Sequence, residues 1–149
     1  MGTVLFLCTG NYYRSRFAEI LFNWHATHQK LPWRADSRGL ALNPRNLGYM
    51  SEFTVHRLNR MQVPFDQYLR DPKDLALNDL ESSNHIVAVK ESEHRPLISR
   101  RFPEWSNKIE YWKIHDIDFE GPEEALPQLE MHVIDLIQRI KGFSPESTE

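Results

Sequence analysis

The stretch TVLFLCTGNYYRSRFAEILFNW, Thr3 to Trp24, decides how the whole chain is read. Thr3–Leu7 is short, apolar and partly β-branched, the pattern of a strand buried on both faces. From Ser15, the apolar residues Phe17, Ala18, Leu21, Phe22 and Trp24–Ala26 fall near helical spacing, which predicts a helix with a broad apolar face running to His28. A strand, a loop over residues 8–14 and a helix form the opening unit of a parallel α/β sheet.

The rest of the chain repeats that alternation. Pro32–Ser37 is a second strand candidate ending at Gly39, and Ser51–Glu52 open a helix that stops before Pro64. Residues 64–75 read as irregular, and Asn78 or Asp79 begins a short turn. His85–Val89 is a buried strand, Glu91–Arg101 a helix and Lys108–Ile114 a fourth strand. HDIDFEGP is a polar loop, and Pro122–Ile140 is a helix in which Pro127 predicts a later start or a kink. Residues 1–141 are therefore expected to form one domain, with 142–149 as a polar tail. Such open sheets bind ligands beyond the carboxyl ends of their strands. Both CTGNYYR and HDIDF lie at strand ends, so these two loops are expected to meet.

Composition narrows the function. At 149 residues with a net charge of −3, the chain gives no general electrostatic reason to bind nucleic acid or an anionic membrane. No window reaches the ~20 apolar residues of a membrane span. One cysteine excludes an internal disulfide, and the N-terminus lacks a secretory signal pattern, so a cytoplasmic location is expected. His25, His28 and His115 lack the companions of a metal set, and no metal or other cofactor is expected.

The chemistry concentrates between residues 8 and 15. A loop entering a helix offers unpaired N–H groups and a partial positive charge, and consecutive inward N–H groups make a nest for a tetrahedral dianion. Gly10 supplies backbone freedom, Asn11 tolerates a left-handed conformation, and Arg14 can grip phosphate oxygens with its planar fork. A thiol in that cradle is expected to act as a thiolate. A lone cysteine at a strand end is more often a small buried hydrophobe, and Ser15 alone would read as a helix N-cap. The conjunction of Cys8, five residues, Arg14 and Ser15 between strand and helix outweighs those readings.

VLFLCTGNYYRSRFAEILF resembles the phosphate loop of the low-molecular-weight protein tyrosine phosphatases, a family that includes phosphoarginine phosphatases and arsenate reductases. ADSRGL, DLALNDLESSNHIVAV and YWKIHDID resemble its later segments in the expected order. The resemblance implies a three-layer doubly wound sheet of four parallel strands, flavodoxin-like order 2-1-3-4, with helices on both faces. It implies that Cys8 attacks phosphorus, that Arg14 and the amides of Thr9, Gly10, Asn11, Tyr12 and Tyr13 bind the phosphoryl oxygens, and that Ser15 assists the sulfur. Asn11, held by Ser37, would keep the loop in shape, and Asp116 would be the general acid and then the base. The implied substrates are a phosphorylated protein or small phosphomonoester, with inorganic phosphate or vanadate as inhibitors.

The sequence also departs from that family. Ile117 replaces the proline that usually follows the acid, and Asp118 is an alternative acid. Tyr13 stands where many relatives have a second cysteine, which disfavours a thiol relay of the arsenate reductase kind. Tyr12 is larger than the residues usual there and is expected to reshape the pocket mouth. Phe119 reads either as an aromatic wall for a substrate ring or as packing against the next helix. Tyr12 and HDID also keep open a phosphate- or phosphoprotein-binding module with impaired catalysis.

Overall fold

A computed structural model describes residues 1–142. Strands β1 (Gly2–Cys8), β2 (Trp33–Gly39), β3 (His85–Ala88) and β4 (Glu110–Tyr111) form one sheet in the order β2-β1-β3-β4. Every pairing is parallel: Cys8 lies beside Gly39, Leu7 beside Ala88, and Ala88 beside Tyr111. The helices are α1 (Arg14–His28), α2 (Glu52–Arg60), α3 (Leu77–Glu81), α4 (Glu91–Arg101) and α5 (Pro122–Gly142).

The double burial expected of TVLFL is achieved by alternation. Val4, Phe6 and Cys8 point into a core built with Phe17, Leu21 and Phe22 of α1 and Leu129, Val133 and Leu136 of α5. Leu5 and Leu7 point the other way, into a second core with Leu80, Ile98 and Ile109. The helices therefore cover both faces of the sheet, and the strand ends at Cys8, Gly39 and Ala88 open on one common edge.

Three expectations about element bounds are corrected. The fourth strand was expected over Lys108–Ile114, but only Glu110–Tyr111 pairs as a ladder with β3. The reason is the partner: β3 ends at Ala88 and turns into α4, so beyond it the chain keeps separate bonds, Trp112 N–H to Ala88 O, Glu91 N–H to Trp112 O and Ile114 N–H to Val89 O, and an isolated antiparallel bridge between Lys90 and Lys113. Helix α5 does not start late at Pro127: it begins at Pro122 and runs through that position. Proline there removes only the bond its own N–H would give to Glu123 O, one turn into a helix of 21 residues. Gly142, expected in the tail, closes α5; residues 143–149 lie outside the described residues.

Glu110 fastens the edge strand. Its carboxylate accepts from Arg139 of α5 at 2.7 and 2.9 Å, from Trp112 Nε1 at 2.6 Å, and is 2.8 Å from His85 Nε2. Burial would raise this carboxyl, but His85, Arg139 and Trp112 more than offset it and hold it well below the usual carboxylate range. A lowered folded-state value stabilises the protein above the unfolded value, about 4.3, and that stabilisation fades as pH falls below it. A Glu110→Gln variant is expected to be less stable than wild type by about 1 kcal/mol at pH 7. In urea unfolding the gap should close between pH 5 and pH 3; a gap that stays constant would refute the assignment.

Candidate active site

The loop after β1 is held by backbone bonds from Leu40 and Ala41 N–H to Thr9 O and from Ser51 N–H to Tyr12 O, and from within by side chains. Asn11 has φ 50°, in the left-handed region, and is fully buried. Its amide is completely used: Nδ2 donates to Ser15 Oγ (2.9 Å) and Ser37 Oγ (2.8 Å), while Oδ1 accepts from Arg70 Nη1 (3.0 Å) and Lys73 N (2.9 Å). Ser37 Oγ in turn donates to Glu19 Oε1 at 2.6 Å, and Arg16 and Arg70 flank that carboxylate. Asn11, Ser15, Ser37 and Glu19 are each hydrogen-bonded within this buried network, which fixes one geometry.

That donor order has a consequence at the sulfur. Cys8 Sγ and Ser15 Oγ are 2.9 Å apart, and Ser15 already accepts from Asn11. The thiol donates to Ser15; once the sulfur is deprotonated, the hydroxyl proton is free to point back at it. Ser15 lies inside α1, whose N-cap is Tyr13, so it does not serve as the cap.

Arg14 is almost fully buried and its donors are divided. Nη2 meets Glu93 Oε2 at 2.7 Å and Asp116 Oδ2 at 3.4 Å, and Nη1 donates to Ile114 O at 2.9 Å and, at 3.4 Å, to Glu93 Oε1. Nε is buried without a hydrogen-bond partner. Burial disfavours the charge on Arg14, but Cys8, Glu93 and Asp116 more than restore it and raise the guanidinium above its ordinary value. Glu93 also accepts from Thr9 Oγ1 and lies 3.1 Å from His94 Nε2. His94 Nδ1 accepts from Lys90 N–H at 3.1 Å, which places the ring proton on Nε2, facing Glu93. Burial would raise the Glu93 carboxyl, yet the bonds from His94, Arg14 and Thr9 hold it far below the usual range.

A cavity of about 380 Å³ opens over Cys8 and Arg14. Thr9, Gly10, Tyr12 and Tyr13 line it, together with Phe53 of α2, and Asp116, Ile117 and Asp118 close the far side. The two loops separated by about a hundred residues of sequence thus share one pocket. Asp116 is the aspartate that reaches Arg14; Asp118 has no ion pair among the described residues. Tyr12 donates from its hydroxyl to Leu47 O at 2.6 Å, tying the 42–50 segment to the pocket mouth. Tyr13 packs edge-on against Phe53, and burial together with Asp116 pushes its phenol up to about 12, so it stays neutral. Phe119 does not line this pocket: its ring lies over Lys90 and beside His115, and the aromatic wall outside the loop is Phe53.

Glu93, His94, Glu19, Arg70 and Phe53 escaped the sequence reading. Glu93 had a usable signal, a carboxylate in the first turn of a helix that follows a parallel strand. Arg70 had none, since it lies in the irregular segment between α2 and α3.

The model of the low molecular weight phosphotyrosine protein phosphatase family matches residues 3–141. Among solved structures, YfkJ from Bacillus subtilis is similar at 25% identity with a TM-score of 0.81, covering 95% of both chains. A low molecular weight protein tyrosine phosphatase from Streptococcus pyogenes gives 0.80 at 20% identity over 98% of this chain and 96% of that one. YwlE arginine phosphatase from Geobacillus stearothermophilus gives 0.74 at 22% over 95% and 94%. The last two likenesses are of fold alone. No curated protein sequence matches the chain.

Proposed function

Because the chain belongs to the low molecular weight phosphotyrosine protein phosphatase family, a family of hydrolases, we propose that it cleaves phosphotyrosine in proteins through a phosphocysteine on Cys8. The observation that carries this reading is the pairing of Cys8 Sγ with Ser15 and the unpartnered Arg14 Nε at the two ends of one loop. Arg14 Nη groups are committed to Glu93 and Ile114 O, so Nε and the Nη2 edge facing Asp116 are the donors left for two phosphoryl oxygens.

In the first step the Cys8 thiolate attacks phosphorus, the P–O bond breaks, and Asp116 gives its proton to the departing phenol oxygen. In the second, Asp116 as carboxylate takes a proton from water, the water oxygen bonds to phosphorus and the S–P bond breaks. Ser15 donates to the leaving sulfur, and Arg14 with the loop amides holds the charge on the three equatorial oxygens. Tyr12, Tyr13, Phe53 and Ile117 surround the space beyond the cradle and suit an aromatic ring.

The test is hydrolysis of p-nitrophenyl phosphate and phenyl phosphate with chelator present. Asp116→Asn should lose roughly 10²-fold on phenyl phosphate, whose leaving group needs a proton, and much less on p-nitrophenyl phosphate. Asp118→Asn should stay within a few-fold on both. A leaving-group-dependent loss in Asp118→Asn alone would move the acid to that residue, and wild type that binds vanadate without turnover would replace catalysis by binding.

A further inference from the structure

Lys90 lies two residues past the end of β3 and is the N-cap of α4, and only 6% of its surface is exposed. An ammonium buried to that degree needs compensation. Among the described residues no carboxylate pairs with it; Nζ instead lies 3.9 Å from the centroid of the Phe119 ring. Phe119 stacks in turn on His115, with centroids 5.8 Å apart and planes inclined by 27°. The ring is 71% exposed, so loss of apolar surface does not account for where it sits. The attraction between the ring face and the cation does.

The segment that carries Phe119 is a self-closed turn. Phe119 N–H and Glu120 N–H donate to Asp116 O at 3.0 and 3.1 Å, and Ile117 N–H donates to Asp116 Oδ1 at 2.9 Å. These bonds shape the turn but attach it to nothing else. Side chains anchor the turn at three places: Asp116 meets Arg14 at 3.4 Å, Glu120 accepts from Gln128 at 3.2 Å, and Phe119 reaches Lys90 at the β3–α4 junction, where Glu93, three residues after Lys90, also holds Arg14.

We propose that Lys90 and Phe119 form a cation–π clasp that positions Asp116 opposite Arg14, making both of them positioning residues for the proton-donating carboxyl. The inference rests on the reading of Asp116 as the acid. One short stretch of chain, Lys90 to Glu93, then sets the relative placement of the two groups that must act on the same phosphate ester. Replacing either member of the clasp frees the turn to rotate while leaving Cys8, Arg14 and the phosphate loop in place.

The experiment compares Lys90→Met, Phe119→Leu and Phe119→Trp with Asp116→Asn on phenyl phosphate and p-nitrophenyl phosphate. Lys90→Met and Phe119→Leu should lose about tenfold in kcat on phenyl phosphate and under about threefold on p-nitrophenyl phosphate. Phe119→Trp, which keeps a ring face for the ammonium, should retain the wild-type ratio between the substrates. Amide hydrogen exchange over residues 115–120 should accelerate in Phe119→Leu and not elsewhere. Phe119 is exposed, so that variant keeps its core if Lys90→Met fails to fold.

Equal losses on both substrates, or an unchanged exchange rate in the turn, would overturn the clasp. If Asp116→Asn itself shows no leaving-group dependence, the acid assignment fails. The clasp is then decided by exchange alone, supported by acceleration in the turn and refuted by its absence.

Discussion

A Cys8→Ser variant is expected to lose at least ~10⁴-fold in kcat on p-nitrophenyl phosphate while folding and binding phosphate as wild type does. The substitution exchanges sulfur for oxygen at a site buried against Phe6 and Phe17, and the bond to Ser15 can be made by either atom. What disappears is the nucleophile, since a hydroxyl in this position has no adjacent base: its neighbours are Ser15 and a cationic Arg14. Steady-state hydrolysis beside vanadate titration reads the two properties separately. Turnover that survives the change would end the nucleophile assignment, and loss of vanadate binding would mean that the sulfur shapes the cradle.

Arg14→Lys is the second large effect. A lysine keeps the charge but has no Nε–H and no fork, so it cannot hold Glu93, Ile114 O and two phosphoryl oxygens at once. Loss of roughly 10³-fold in kcat/KM is expected, comparable to deleting preorganised donors at a reacting centre. A stability cost of about 1–3 kcal/mol should accompany it, because Glu93 and Ile114 O lose partners in a buried setting. Kinetics together with urea unfolding check both parts. Activity within tenfold of wild type would show that the loop amides alone carry the phosphate.

Glu93 explains why the arginine is such a sensitive position. Thr9, Arg14 and His94 converge on it, joining the phosphate loop to the first turn of α4. The guanidinium is therefore already oriented before a phosphate arrives, and binding has less rotamer freedom to remove.

The chain from Thr3 to His28 was legible as strand, loop and helix because each signal there is local. TVLFL is buried on both faces through the i, i+2 alternation of any strand, and Asn11 reaches Ser15 four residues on because the intervening loop is short. The order of the strands was also readable, but through family resemblance rather than through periodicity. The length of β4 was not, since KIEYWKI is a good strand sequence and it is β3 that runs out of backbone to pair with. Pro127 does not delay α5, because a proline one turn into the helix removes a single bond and the preceding turn still forms.

By itself, the amino-acid sequence determined the α/β alternation, the placement of Cys8, Arg14 and Ser15 around one strand-to-helix loop, and the approach of HDIDF to that loop at a common sheet edge. Tertiary structure alone decided which groups complete the site. A buried Arg14 demands a carboxylate, yet the chain has 21 acidic residues, and only the docking of α4 on β3 selects Glu93. The same docking delivers Lys90 to Phe119, and the path of the segment between α2 and α3 delivers Arg70 to Asn11. Contacts within a few residues are set by backbone geometry and can be read along the chain. Partners brought together across crossovers are chosen by packing the two cores, and no local pattern encodes that choice.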